Sequence, residues 1–194
     1  VTAPDLLAAL GPLLDLLQEL GVRHYVGGSI ASSAHGVARA SIDADVVAEL
    51  RPEHAEHVSS ALRGDYYVPE ARVRDAIARR ASFNVIHLET MLKVDVFVSK
   101  DRPFDRRAMD RARITPPETG DERPLPLASA EDTILAKLEW FRRGGEVSER
   151  QWADVLGVLR AGGETLDPRY LEQGAGELAV SDLLGRALAE ARGA

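Results

Sequence analysis

Three aspartates and a glycine-rich turn are the residues here whose types and spacing could do chemistry together. Val26-Gly27-Gly28-Ser29 reads as the end of a short strand entering a turn. Gly-Gly-Ser lets the backbone bend sharply and present N–H groups at the start of the next helix, where an anionic phosphate is favoured. Further on, Ile42-Asp43-Ala44-Asp45-Val46 places two aspartates two apart on a second strand. Both carboxylates then leave one face, roughly 7 Å apart at Cα, and can converge on one divalent ion. The third acid, Asp95, sits inside Val94-Asp95-Val96-Phe97-Val98, a segment of high β-propensity where an unpaired carboxylate is costly to bury. If that strand lies beside the Asp43/Asp45 strand, three carboxylates meet, and their repulsion is relieved by metal ions or by raised pKa values. With a triphosphate held by the turn, these are the parts of two-metal phosphoryl transfer. Each part has a plainer meaning as well. Gly-Gly-Ser is also an ordinary turn with a helix cap, Asp-Ala-Asp also describes the wet face of an edge strand, and Asp95 could pair with Lys93, Arg23 or water.

The elements that must position these residues follow from periodicity. Leu6, Leu10, Leu13, Leu17 and Leu20 recur at helical spacing, with Pro12 as a break and Gly21 as a stop, and this stripe is expected to pack on a sheet. Strands are expected at about 23 to 27, 42 to 48, 83 to 88 and 93 to 98, with helices at about 29 to 36, 52 to 63 and 71 to 80. The span from Pro103 to Pro126, rich in proline, glycine and charge, reads as a connector with two short edge strands. Ser129-Ala130-Glu131-Asp132 is a capping box for a helix carrying Ile134, Leu135, Leu138 and Phe141 on one side and ending at Gly144-Gly145. Further helices are expected at about 148 to 161 and 176 to 191.

Bulk properties narrow the classes. A chain of 194 residues holds one substantial core, or one domain with a small helical appendage. It has no cysteine, which removes disulfides, thiol nucleophiles and zinc ribbons. No apolar run has membrane-spanning length and the leucine-rich start lacks the basic end of a signal peptide, so the expected location is cytoplasmic, with no membrane partner. The net charge of −7 argues against coating nucleic acid by bulk attraction. Two arginine clusters, Arg72, Arg74, Arg79 and Arg80, and Arg102, Arg106, Arg107, Arg111 and Arg113, leave room for a local basic groove or for solvated helix faces. His54 and His57, beside Glu53 and Glu56, look like an exposed helix face and are assigned no metal.

The segment from Val26 to Val47, together with Asp95, resembles the signature of the polymerase-beta-like nucleotidyltransferase superfamily. That signature is a hydrophobic residue, Gly, Gly or Ser, a spacer, Asp-hydrophobic-Asp, and a later third acid; the spacer here is at its long end. Ala34-His35-Gly36-Val37-Ala38-Arg39-Ala40-Ser41 resembles the minimal nucleotidyltransferases of bacterial toxin–antitoxin systems, the AbiEii-type group among them. Glu131 to Leu138, followed by Gln151-Trp152-Ala153-Asp154-Val155-Leu156, is similar to that group's C-terminal motifs, although this chain is short and carries Trp140 and Trp152 there.

The resemblance implies a small mixed β-sheet flanked by helices, α/β (α+β) in class, a nucleoside triphosphate and Mg2+. Asp43, Asp45 and Asp95 would hold the metal ions, Asp95 being the candidate to receive the acceptor proton, while Gly27, Gly28 and Ser29 would hold phosphates. Lys137 and Asp154 would line the nucleotide pocket, with Lys137 adding positive charge near the triphosphate, or they would be a solvent-facing lysine and an N-terminal-turn aspartate. Arg39 would either neutralise the acids or touch a phosphate, and His35-Gly36 would end the first core helix. The expected division is a nucleotidyltransferase core at 1–128 and a helical subdomain at 129–194. The acceptor would be a hydroxyl of RNA, tRNA or a protein, with a cognate toxin or antitoxin as partner. Alternatives are transfer to a small molecule such as an antibiotic, or a catalytically silent binding module.

Overall fold

The structure, a computed structural model, describes residues 3–37, 43–115 and 123–193. In chain order the elements are α1 (Ala3–Glu19), β1 (His24–Val26), α2 (Gly28–Ala34), β2 (Asp43–Ala48), α3 (Ala55–Leu62), β3 (Tyr66–Tyr67), α4 (Glu70–Arg79), β4 (Ser82–His87), β5 (Lys93–Val98) and α5 (Pro103–Arg111). They continue as β6 (Arg113–Thr115), β7 (Leu125–Leu127), α6 (Ala130–Arg143), α7 (Glu149–Gly162), α8 (Pro168–Glu177) and α9 (Ser181–Arg192). The chain divides into two compact units, one drawn from Val1–Gly27 and Ala40–Leu127, the other from Gly28–Arg39 and Ala128–Ala194.

The first unit is a mixed sheet in the order β3-β4-β5-β2-β1-β7-β6. β2 runs parallel to β5, and β1 meets β2 antiparallel and β7 parallel. Strict alternation gives the central strands two unlike faces. Ala44, Val46 and Ala48 on β2, Val94, Val96 and Val98 on β5, and Phe83, Val85 and His87 on β4 are buried, while the residues between them stay at least partly open to solvent. The buried face lies under α1, whose Leu10, Leu13, Leu14 and Leu17 are almost fully buried, each worth about 1.5–3 kcal/mol. Tyr66 on β3 ties the two layers by donating its hydroxyl proton to the Ala9 carbonyl at 2.9 Å.

Two expectations are corrected in this unit. α1 continues through Pro12 without a break. Both Pro12 and Ala8, whose carbonyl loses its intrahelical donor there, are exposed, so the lost bond is not a buried one. The span after Pro103 is not only a connector: besides β6 and β7 it contains α5, which starts with proline in its first turn and a backbone bond from Arg102 N to Asp105 Oδ2 at 2.9 Å. Proline is a helix breaker inside a helix and a helix starter at its first position.

The second unit is helical. Ser129 caps α6, its Oγ accepting from Asp132 N at 3.1 Å, and Ile134, Leu135, Leu138 and Phe141 are buried. Residues 28–37, which the sequence division leaves with the core, cluster with these helices: α2 packs on α6 and α7. α8 lies outside the helices expected from periodicity. Its glycines lower helix propensity, yet a Cβ at Gly174 would lie 2.4 Å from Leu135 Cδ1, so the small residue lets α8 approach α6 closely.

Candidate active site

Register brings the acids of the first unit together. Asp45 is the direct partner of Asp95 across the parallel β2–β5 pair, and Asp43 is the partner of Lys93 in the adjoining row. Because the side chains of 43, 45, 93 and 95 all leave the non-core face, three carboxylates and one ammonium share a patch two strands wide. Asn84 on β4, the partner of Asp95 on its other side, extends the row. No local pattern singles out Asn84, since only the strand register reveals it.

Within this patch Lys93 Nζ donates to Asp95 Oδ2 at 2.6 Å, with the lysine 39% and the aspartate 23% exposed. That bond is the main reason the ammonium is held above its usual range; burial opposes it, and the charges of Asp95, Asp43 and Asp45 all reinforce it. The three acids therefore act electrostatically on one cation. Of the partners considered for Asp95, the structure supplies Lys93, whereas Arg23 binds Glu49 and Asp110. Among the described residues no group of three His, Asp or Glu side chains is arranged to hold a metal ion as it stands. The donor set itself suits a hard divalent ion such as Mg2+, being oxygen only and clustered on one face.

The glycine turn abuts these acids through the backbone. Gly27 N donates to the Asp45 carbonyl at 2.9 Å, extending the β1–β2 ladder one step past the Val26–Val46 pair. This amide is committed to the sheet. Gly28 follows at φ +56, a left-handed conformation that glycine adopts without strain.

In the second unit Ser29 is buried in the first turn of α2, where the Ser32 and Ser33 hydroxyls donate to the Gly28 and Ser29 carbonyls at 2.9 and 3.0 Å. His35 ends this helix and donates through Nε2 to the Ala128 carbonyl at 2.8 Å, which engages the imidazole structurally. Lys137 and Asp154 meet as a buried ion pair, Nζ to Oδ2 2.8 Å, with side chains 10% and 4% exposed. Neither residue faces solvent. The remaining candidate, Arg39, lies outside the described residues.

The arginine segment sits at the other end of β5. Arg102 pairs with Asp105 and Arg106 with Asp101, all beyond Val98. A cleft of about 240 Å³ opens at that end of the sheet, lined by Arg23, Glu49, Arg51, Arg80, Ser99 and Asp101. The Asp43/Asp45/Asp95 patch is not part of it.

No protein-family profile and no curated protein matches the sequence. Solved structures do match the fold. The antibiotic-resistance factor ANT(2'')-Ia in solution aligns over 97% of this chain and 96% of its own, with TM-score 0.57 and 13% identity. An antigenic nucleotidyltransferase-like protein from Paracoccidioides brasiliensis aligns over 97% and 94%, with TM-score 0.55 and 16% identity. The chain has a nucleotidyltransferase fold. A crystal structure of ANT(2'')-Ia in complex with adenylyl-2''-tobramycin shares that nucleotidyltransferase fold over 89% of this chain and 96% of its own, with TM-score 0.54 and 14% identity. No helix among the described residues is long and apolar enough to cross a membrane.

Proposed function

We propose that this protein transfers a nucleoside monophosphate from a nucleoside triphosphate to an acceptor hydroxyl, releasing pyrophosphate. One observation carries the reading: Asp45 and Asp95 are register partners on parallel neighbours, with Asp43 two residues along the same face, in a chain with a nucleotidyltransferase fold. Asp43, Asp45 and Asp95 would hold Mg2+, which when bound supplies the positive charge that offsets these carboxylates and the phosphate chain. Gly28 and Ser29, which follow β1 in the sequence, are the proposed phosphate contacts. The acceptor oxygen bonds to the α-phosphorus as the bond to pyrophosphate breaks, and Asp95 is the candidate to take the hydroxyl proton. Lys137 and Asp154 are left to join α6 to α7.

For the acceptor, the arginine placement favours a small molecule over RNA. Arg102 and Arg106, of the cluster that could guide a phosphate backbone, are paired with acids past the far end of β5, whereas the proposed reaction face is acidic. Adenylyl-2''-tobramycin on ANT(2'')-Ia is an instance of a nucleotidyl group on a small molecule within this fold. RNA, tRNA and a cognate toxin–antitoxin partner, the acceptors implied by the AbiEii-type resemblance, are the competing outcomes. A second reading, a silent binding module, is favoured by Lys93 already satisfying Asp95.

Two measurements test the proposal. A triphosphate at about a hundred times its dissociation constant should add roughly 2.7 kcal/mol of stability, and only with a divalent ion present. No stabilisation by any triphosphate would favour the silent module. Incubation with labelled triphosphates, Mg2+ and cell extract should then place label in a small-molecule fraction, and label entering RNA or protein would refute the acceptor assignment.

A further inference from the structure

The acid patch already contains a cation. Lys93 and Asp95 lie two apart on β5, so both leave the same face, and Nζ is 2.6 Å from Asp95 Oδ2. Across the pairing, Lys93 stands opposite Asp43, and Asp95 opposite Asp45. A half-exposed lysine on this face adds nothing to the apolar core, whose residues are on the other side of the same strand. Its consequence is electrostatic: it adds one positive charge beside the three carboxylates and occupies an oxygen of Asp95.

We propose that Lys93 is a resident counter-ion of the carboxylate patch, displaced from Asp95 when a divalent ion binds, and that it thereby sets the metal affinity of this chain. The inference rests on the nucleotidyltransferase reading and adds a positioning residue to it. Lys93 touches no reacting atom; it acts through Asp95. A unit charge about 6 Å from a divalent ion, even at the dielectric constant of water, changes affinity by about tenfold at low ionic strength.

The test is a calorimetric titration of Mn2+ into the nucleotide-free protein at low ionic strength, with wild type, Lys93→Gln and Lys93→Arg. Lys93→Gln should bind Mn2+ about tenfold tighter, and Lys93→Arg, which keeps the charge, should stay near the wild type. Equal or weaker binding by Lys93→Gln, or tightening by Lys93→Arg as well, overturns the inference while leaving the metal site intact. Should Mn2+ bind no variant, the metal reading of the acids falls with it. A measurement on the wild type covers the case of a variant that does not fold. With only three lysines in the chain, the ammonium resonance of Lys93 can be followed by NMR. Its hydrogen-bonded signal should be lost on saturation with Mg2+, and its persistence at saturation would overturn displacement.

Discussion

Asp154→Asn removes one charge from a pair with little access to water. Lys137 Nζ lies 2.8 Å from Asp154 Oδ2, and the two side chains are 10% and 4% exposed. The asparagine carbonyl can still accept the hydrogen bond, but the ammonium loses its counter-charge in a low-dielectric setting. Breaking one side of a buried pair costs about 3–5 kcal/mol, and the retained acceptor places this variant near 3 kcal/mol. In a chain of this length about 1 kcal/mol lowers Tm by about 2–4 °C, so a drop of roughly 6–12 °C is expected. Tryptophan fluorescence is the natural probe, because both tryptophans, Trp140 and Trp152, belong to the helical unit. Trp152 is buried, packs on Phe141 at 5.2 Å between ring centroids, and donates to Glu190 at 2.9 Å. The double variant Lys137→Met, Asp154→Leu should recover most of the loss, since it removes both desolvated charges. A loss below about 1 kcal/mol for Asp154→Asn, or strictly additive losses in the double variant, would refute the buried-pair argument.

Replacing Asp43 or Asp45 by Asn should leave metal-free thermal stability unchanged or raised, because neighbouring carboxylates repel, and should abolish the stabilisation by triphosphate with Mg2+; a clear metal-free loss in both would make these acids structural. Tyr66 gives an alkaline signature: burial, reinforced by the Asp65 charge, pushes its phenol up to about 12, above the unfolded value near 10. Its contribution is therefore complete below about pH 10 and is lost as pH rises through about 12, roughly 2–3 kcal/mol in all. Tyr66→Phe should flatten that limb of the stability–pH curve measured by urea unfolding, and an unchanged slope would count against it. Gly36→Ala should cost at least about 2 kcal/mol in a fluorescence-detected melt, since Gly36 has φ +106 and its new Cβ would lie 2.4 Å from Ala161 Cβ; a change under about 0.5 kcal/mol would show that the helix end relaxes.

What could be read from the sequence was whatever local pattern determines. Val94 to Val98 alternates cleanly enough to give β5, and Ser129 with Asp132 marks the start of α6 within a residue. The aspartates were legible as a set because period two puts Asp43 and Asp45 on one face. Their meeting with Asp95 needed the parallel β2–β5 pairing, made across α3, β3, α4 and β4, which no local pattern encodes. The same holds for Lys137 and Asp154, seventeen residues apart on different helices, whose burial as a pair is a property of packing. Lys93 was visible as a possible partner of Asp95 by spacing alone, but choosing it over Arg23 required knowing that Arg23 is taken by Glu49 and Asp110. α5 and α8 escaped notice because each begins with a proline, and α8 also contains Gly174 and Gly176.

The two-sidedness of β2, β4 and β5 has an evolutionary consequence. Each strand carries two interleaved sequences answering to different constraints: odd positions of β2 and β5 and even positions of β4 are at least partly open to solvent, while their neighbours meet α1 and the rest of the core. A substitution at Asn84 or Ile86 can thus retune what the surface recognises without opening a cavity beneath it, and a change at Val85 or Val94 does the reverse. Surface character and foldedness can drift on separate clocks within a six-residue strand, which lets one architecture persist at 13–16% identity.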